Sequence, residues 1–236
     1  MNRNAIAYVC TMAQLFFLSI NSYAQSGLTL SQLVSAVKEP YTELDGSYVS
    51  TGYLKDHALD LVRMSLLDGQ ELCDSNYVDV STFCDLFRTM NYAIVNNTAT
   101  EYNAEAISTA MTSSSTVKLG SAVFRYNYIR EDAIAQGLID YDANAVKLYD
   151  HYDGSVWCNP YAEDYVFMFS AGRHLVESND VVFDLTNLTP YGNCSVSNML
   201  IDFDNGADGC LLVPASAEML EFNPGPQGLK LLVSQL

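Results

Sequence analysis

The first 24 residues determine which part of this chain folds and in which compartment. Arg3 precedes a mostly apolar stretch from Ile6 to Ile20, and Ser22-Tyr23-Ala24 then supplies small residues at the two positions that a signal peptidase reads. This order is typical of a secretory signal peptide and predicts cleavage between Ala24 and Gln25. We therefore expect a leader at residues 1–24 and a protein that is secreted or displayed on the cell surface.

The remaining chain is long enough for a substantial core and is strongly acidic. Cleavage leaves 212 of the 236 residues, enough for one large domain or two small ones. The net charge of −17 becomes −18, because Arg3 is the only charged residue of the leader. An acidic surface repels phosphate backbones and anionic lipids, so we expect neither nucleic-acid nor peripheral membrane binding. No apolar run near 18 residues follows the leader, so no membrane span is expected after cleavage.

Helical periodicity dominates residues 25–116 and predicts four helices. The first begins with a capping box at Thr29–Gln32 and ends at Pro40. The second closes at Asp68-Gly69, and its apolar stripe comprises Leu54, Ala58, Leu61 and Val62. The third has apolar residues at helical spacing at Phe83, Leu86, Phe87, Met90 and Ile94. A weaker fourth helix covers Ala104–Met111, and the hydroxyl run Thr112–Thr116 is the predicted boundary.

From Val117 the apolar period changes to two, which is typical of strands. Alternation is clearest from Ala122 to Tyr128, and Glu131–Leu138 fits one or two helical turns. Short strands are predicted at 146–149, 165–169, 181–185, 199–203, 211–213 and 229–233. The fold class predicted is α+β, with a helical N-terminal region at 25–116 and an antiparallel β-sandwich of PKD-like or Ig-like type at 117–236.

Two stretches carry a resemblance to known families. Met199–Gly206, followed by Ala207-Asp208-Gly209, is similar to the strand-turn-strand of PKD-like sandwiches, and Gly228–Val233 looks like their closing strand. Asn205-Gly206 stands where such modules usually have Asp-Gly, and it is also a strong hairpin dipeptide.

The second resemblance covers most of the chain after the leader. It rests on the leader end Tyr23-Ala24-Gln25, on Gly52–Leu59, on Asp68-Gly69, on Asp74–Phe83 and on Phe124–Tyr128. These segments resemble the N-terminal region of large, uncharacterised secreted surface proteins of Bacteroidetes, which continue through PKD-like segments to a C-terminal sorting domain. The resemblance implies no specific activity. It implies that this chain is a fragment or a short relative of such proteins, since no sorting region follows.

The cysteines leave their pairing open. Cys10 lies in the leader, and the other five are Cys73, Cys84, Cys158, Cys194 and Cys210. An odd number in an oxidising compartment allows at most two internal disulfides. Cys73 and Cys84 are the best candidates for a pair because one short loop joins their segments; independent buried thiols are the alternative.

Several candidate sites have a chemical rationale and a structural alternative. Asp202, Asp204 and Asp208 offer oxygens for calcium, but they do not match an EF-hand loop and equally fit solvated acids of a hairpin. Cys158 and His174 are a conceivable thiol and base, although a disulfide or a buried cysteine is the better interpretation. His57 falls in the predicted second helix, where an ordinary helix position explains it.

Two further possibilities concern glycans. Tyr152, Trp157 and Tyr161 surround a proline-containing loop and could form a sugar-stacking platform, or they could be packing residues of strands. With 28 acidic residues, a carboxylate pair suited to glycoside hydrolysis requires a defined separation, which only geometry reveals.

We predict a secreted or cell-surface bacterial protein that acts as a non-catalytic binding or structural module of a larger envelope protein. The motifs of the α/β-hydrolase nucleophile, of zinc proteases and of phosphate-binding loops are missing. No catalytic, cofactor-binding or metal-binding residue is assigned, and no cofactor is expected. The expected partners are other envelope proteins or glycans. The alternatives are a secreted glycan-acting hydrolase, which would place two acids across a groove, and a carbohydrate-binding module, which would expose coplanar aromatic rings.

Overall fold

The chain is an α+β protein. The computed structural model describes residues 28–64, 77–113, 117–172, 181–184, 191–194, 199–202, 211–213, 219–222 and 230–232. The predicted leader with its cleavage site, and the Asp68-Gly69 turn, lie outside these residues.

Three described helices precede the long strands: α1 (Leu30–Lys38), α2 (Val80–Ala93) and α3 (Ala104–Thr112). The predicted capping box is confirmed, because the Thr29 side chain accepts from the Gln32 N–H while the Gln32 side chain accepts from the Thr29 N–H. Asp79 and Asn103 similarly cap α2 and α3 through their side-chain oxygens. These caps bond N–H groups that have no partner within the helix.

The helix predicted over Leu54 to Val62 is wrong. This segment contains only a 3₁₀ turn at Lys55–His57, preceded by extended backbone. The Leu54 N–H donates to the Ala93 carbonyl and the Tyr53 carbonyl accepts from the Asn127 N–H, both at 2.8 Å. Since these backbone groups are bonded to distant parts of the chain, they cannot form the local bonds of a helix.

One smaller prediction is also corrected, because Ile94 lies just beyond α2 with extended backbone and pairs with Tyr53. Residues 131–137 form consecutive turns that end at Gly137, which has a φ of 66°. The Gln136 N–H donates to the Asp132 carbonyl at 2.9 Å, which is the spacing of one helical turn, as predicted for this segment.

In the described part of the chain, the main sheet has six strands: β1 (Tyr77–Val78), β2 (Val117–Ile129), β7 (Tyr161–Ala171), β8 (Val181–Asp184), β9 (Tyr191–Gly192) and β12 (Met219–Phe222). Their order is β1-β7-β2-β8-β12, and β9 also pairs with β2. The β2–β7 pair is a long antiparallel ladder that runs from Leu119 opposite Ala171 to Ile129 opposite Tyr161. The sheet is mixed, in contrast to the purely antiparallel arrangement predicted, because β1, β8 and β9 each form a short parallel pair.

Three smaller sheets complete the architecture. Strand β10 (Met199–Asp202) lies between β11 (Leu211–Val213) and β13 (Lys230–Leu232), antiparallel to both. The hairpins β3–β4 (Ile139–Asp142 and Lys147–Asp150) and β5–β6 (Tyr152–Asp153 and Val156–Trp157) follow β2. Strands are thus present at all six predicted positions, although β7 begins at Tyr161, before the predicted start at residue 165.

Helix α2 packs on the sheet through an aromatic core centred on Phe87. Its ring centroid lies 5.1 Å from that of Phe83, 5.8 Å from Phe124 of β2, and 5.4 Å from both Tyr102 and Tyr191. Buried residues of α2, α3, β2 and β7 belong to one hydrophobic cluster. The helical and strand-rich regions therefore share a core.

Replacement of Phe87 by Ala tests the importance of this core. Phe87 is fully buried, so we expect a loss of about 3–5 kcal/mol in the free energy of unfolding. The measurement is denaturant unfolding, with Tyr149→Ala as the control, because the Tyr149 side chain is 37% exposed on β4. Equal losses in both variants would contradict a core centred on Phe87.

Candidate functional site

A cavity of about 200 Å³ lies where the segment after α1, the end of α2 and the beginning of β7 meet. Its apolar walls are Leu44, Leu54, Ile94 and Val95, and Gly46 also borders it. Polar side chains are contributed by Tyr41, Thr42, His57 and Tyr161. Polar and apolar groups therefore contribute about equally to the lining of the cavity.

The wall formed by residues 39–45 is held in place by the β3–β4 hairpin. Lys147 donates to the Thr42 hydroxyl at 2.9 Å and to the Glu43 carboxylate at 2.8 Å. The Asp150 carboxylate accepts from the Asp45 N–H at 2.7 Å and from the Trp157 indole at 2.9 Å. These bonds fix a short 3₁₀ segment that has little regular structure of its own.

The opposite wall is fixed by hydrogen bonds to the backbone carbonyls of residues 46–54. The Val95 N–H donates to the Gly52 carbonyl at 2.9 Å, and the side-chain Nδ2 of Asn96 donates to the Gly46 carbonyl at 2.6 Å. A Cβ at Gly46 would lie 2.7 Å from the Val95 carbonyl oxygen, so only glycine permits this approach. The walls are therefore preformed.

Tyr161 borders the cavity, and its hydroxyl is buried in the protein. Its side chain is 6% exposed, and its hydroxyl is buried with no hydrogen-bond partner among the described residues. Burial and the nearby Asp150 and Asp56 carboxylates raise the pKa of Tyr161 well above its usual range. The hydroxyl therefore stays protonated at neutral pH.

The other polar side chains of the cavity are uncharged at neutral pH. Burial lowers the pKa of His57 to about 4, with Lys38 contributing in the same direction. Neutral His57 lies 3.3 Å from the Tyr92 carbonyl through Nδ1, which must carry the proton because a carbonyl only accepts. Burial, followed by the Asp56 carboxylate, raises the pKa of Tyr41.

Two desolvated carboxylates, Asp56 and Asp60, lie outside the lining of the cavity. Asp56 accepts the Ile129 N–H at 2.8 Å, and burial raises its pKa. One oxygen of Asp60 is buried with no hydrogen-bond partner in the described ranges, and burial raises the Asp60 pKa to about 6. Lys55 opposes this rise and Asp56 adds to it. Perturbed acids of this kind occur at functional sites and in structural networks alike.

The aromatic platform predicted from Tyr152, Trp157 and Tyr161 does not form as expected. Tyr161 is buried, whereas Tyr152 is 45% exposed. Trp157 stacks on Tyr48, with ring centroids 4.2 Å apart and planes at 14°. The Tyr48 and Tyr152 hydroxyls lie 3.3 Å apart. The interpretation of these aromatic residues as packing residues is correct for Tyr161 and Trp157.

The remaining candidates from the sequence are scattered. Cys84 is a free thiol and is 1% exposed in the core, in agreement with the alternative of buried thiols; its suggested partner Cys73 lies outside the described residues. Cys158 is a free thiol whose Sγ lies 3.9 Å from the Val156 carbonyl, and His174 is outside the described part.

The acidic turn suggested for calcium is described only at Asp202, the last residue of β10. Asp204 and Asp208 lie outside the described residues. Within the described ranges, no three His, Cys, Asp or Glu side chains are grouped so that they could hold a metal ion. None of the helices that the structure describes has the length and hydrophobicity to cross a membrane.

Sequence reasoning missed the cavity because its residues come from four separate segments. Tyr161 was singled out for a surface role and His57 for a helix position. The only local signal was the proximity of Asp45-Gly46 to Pro40, which indicates an irregular segment.

Comparisons with models of protein families, with curated proteins and with solved structures found no match to this chain.

Replacement of Asp60 by Asn should change the pH dependence of stability. Because the folded-state pKa is raised from 3.8 to about 6, the stability that depends on the protonated form is complete below pH 3.8 and is lost as the pH rises through 6. Relative to wild type, Asp60→Asn should therefore gain about 2–3 kcal/mol in unfolding free energy between pH 4 and pH 7.

Denaturant unfolding at a series of pH values measures this difference. The matched control is Asp153→Asn, because Asp153 lies on the exposed β5–β6 hairpin. A constant difference between Asp60→Asn and wild type over this pH range would contradict the raised pKa.

Proposed function

We propose that this chain is an exported protein of the bacterial cell surface and a non-catalytic binding or structural module of a larger envelope protein. The leader-like order of Arg3, the apolar stretch and Ser22-Tyr23-Ala24 supports export. The acidic composition is compatible with an exported protein, because a high net charge favours solubility. Other envelope proteins or glycans are the proposed partners.

The non-catalytic role is supported by the contacts that the His and Cys side chains make in the described part of the chain. His57 bonds a backbone carbonyl, His151 lies 3.0 Å from the Asp140 carboxylate on an exposed hairpin, and Cys84 is in the core. Catalysis by a nucleophile and a base requires such groups within hydrogen-bond reach of each other. The roles of these residues in holding the fold support a module that binds or connects.

We also propose that the C-terminal strands belong to a PKD-like sandwich. Strands β10 and β11 are antiparallel neighbours, and the Asn205-Gly206 dipeptide of the resemblance lies between them in the sequence. The antiparallel pairs β10–β13 and β8–β12 support the same arrangement.

The export proposal is tested by sequencing the N-terminus of the protein from its native host. We expect Gln25 as the first residue and the protein in the extracytoplasmic or surface fraction. Ala24→Trp should block cleavage, because the peptidase requires a small residue there, and Tyr23→Phe should be processed normally. A wild-type N-terminus at Met1 in the soluble internal fraction would overturn the proposal.

The proposal of a non-catalytic role has its own test. We expect no turnover of polysaccharides by the purified protein. Hydrolysis that is lost in Asp60→Asn and retained in Asp153→Asn would favour the glycan hydrolase instead, with Asp60 as the protonated acid.

A further inference from the structure

We propose that one surface of the protein binds an arginine side chain from a basic segment of a partner protein. This aromatic–acidic surface consists of Tyr48, Tyr152, Asp45 and Asp150. It gives a location to the partner binding of the proposed function, on which the inference rests. Its test uses purified protein, so that a failure here is distinguishable from a failure of the export experiment.

Aromatic rings from two separate segments form the centre of this surface. Tyr152 on β5 lies directly opposite Trp157 on β6, so both side chains are on the same face of the hairpin. Tyr48 ends the 3₁₀ turn at Gly46–Tyr48 and stacks on Trp157, with ring centroids 4.2 Å apart. Its hydroxyl lies 3.3 Å from that of Tyr152. Because Tyr152 is 45% exposed, a group of another protein can reach it from solvent.

Two carboxylates act on these hydroxyls. The hydrogen bond with Tyr48, followed by desolvation and by the charges of Asp150 and Asp45, raises the pKa of Tyr152 to about 12. Asp45 accepts from the Ser47 N–H at 2.9 Å, and Asp150 accepts from the Asp45 N–H at 2.7 Å. Neither carboxylate forms an ion pair with a described residue. Their negative charge is therefore available to a cation of a partner.

The nearby cation of the protein does not compensate these acids. Lys147 is bonded to the segment before Asp45, where Glu39 and Glu43 both pair with it. The chain as a whole has 28 acidic and 11 basic residues, so a basic partner is complementary to it.

Arginine suits both features of the surface. A guanidinium group stacks on a tyrosine ring, and its N–H groups donate to carboxylate and hydroxyl oxygens. A neutral sugar could stack on the exposed ring, but it would leave the two negative charges without a counter-charge. The combination of rings and carboxylates therefore favours a basic protein segment over a glycan.

The test uses the fluorescence of Trp157, which is the single tryptophan of the chain and stacks on Tyr48. The purified full chain is titrated with a pentapeptide that has two arginines separated by glycines, acetylated and amidated at its ends. The second ligand is the same peptide with citrulline, a neutral side chain of similar shape, in place of arginine. We expect the arginine peptide to bind about five- to tenfold more tightly than the citrulline peptide.

Two variants locate the binding. Tyr152→Ala removes the exposed ring, and Asp45→Asn removes one charge while its side-chain oxygen can still accept from the Ser47 N–H. Each should weaken binding of the arginine peptide about threefold or more. The matched controls are Tyr165→Ala, since Tyr165 is 39% exposed on β7, and Asp142→Asn, since Asp142 also accepts from a turn N–H. Both controls should bind as wild type.

Equal affinities of the two peptides for the wild type would overturn the proposal without the use of a variant. Equal losses in Asp45→Asn and Asp142→Asn would also overturn it, because the overall charge alone would then attract the peptide. Absence of a saturable fluorescence change with the arginine peptide would have the same meaning. If cellohexaose instead gave a change that Tyr152→Ala removes, the carbohydrate-binding module would replace this proposal.

Discussion

Strand β2 must have both of its edges paired, because most of its side chains are buried and its backbone groups are removed from water. Strand β7 satisfies one edge along eleven residue pairs. The second edge is satisfied by several segments in turn. β8 pairs near Val117 and β9 near Ala122, after which the Asn193 side chain bonds both the N–H and the carbonyl of Arg125 at 2.7 and 2.8 Å. The Tyr53 carbonyl and the Asp56 carboxylate then accept from Asn127 and Ile129.

The second edge of β2 determines the conformation of residues 53–57, which bond to it. Residues 53 and 54 are held extended because the Tyr53 carbonyl bonds β2 and the Leu54 N–H bonds the last turn of α2. The 3₁₀ turn that follows is held to β2 by the Asp56 carboxylate. Gly192 shows how close the approach is, since its φ of 113° and its contact with the Val123 carbonyl leave no space for a Cβ. The 3₁₀ segments then bridge from this fixed edge to the β3–β4 hairpin, where Lys147 and Asp150 hold them. The cavity remains between two anchored walls that cannot collapse onto each other.

The local sequence pattern was sufficient to predict an element when the backbone hydrogen bonds of that element lie within it. The periodicity of Phe83, Leu86, Phe87 and Met90 predicted α2, and the Thr29 capping box predicted the start of α1, because both elements satisfy their own backbone. The same kind of stripe at Leu54, Ala58, Leu61 and Val62 predicted a helix incorrectly. Ala58, Leu61 and Val62 do pack against α1 or α2. The Tyr53 carbonyl, however, is bonded to β2, and the residues around Tyr53 give no sign of this long-range bond. The cavity was unpredictable for the same reason, since Tyr41, His57 and Tyr161 are brought together by three separate long-range pairings.

The net charge invites an explanation through cations or basic partners, but several described carboxylates already have a structural role. Asp45, Asp79 and Asp142 each accept from backbone N–H groups of the turn or helix that they begin. Asp56 and Asp150 do the same over long distances. A carboxylate that accepts from an N–H replaces a backbone acceptor where an irregular chain cannot supply one, and the charge strengthens the bond. The protein has many such irregular segments, so part of its acidity follows from its architecture. Asp60 differs from these acids, because one of its oxygens is buried with no hydrogen-bond partner among the described residues, and burial raises its pKa to about 6.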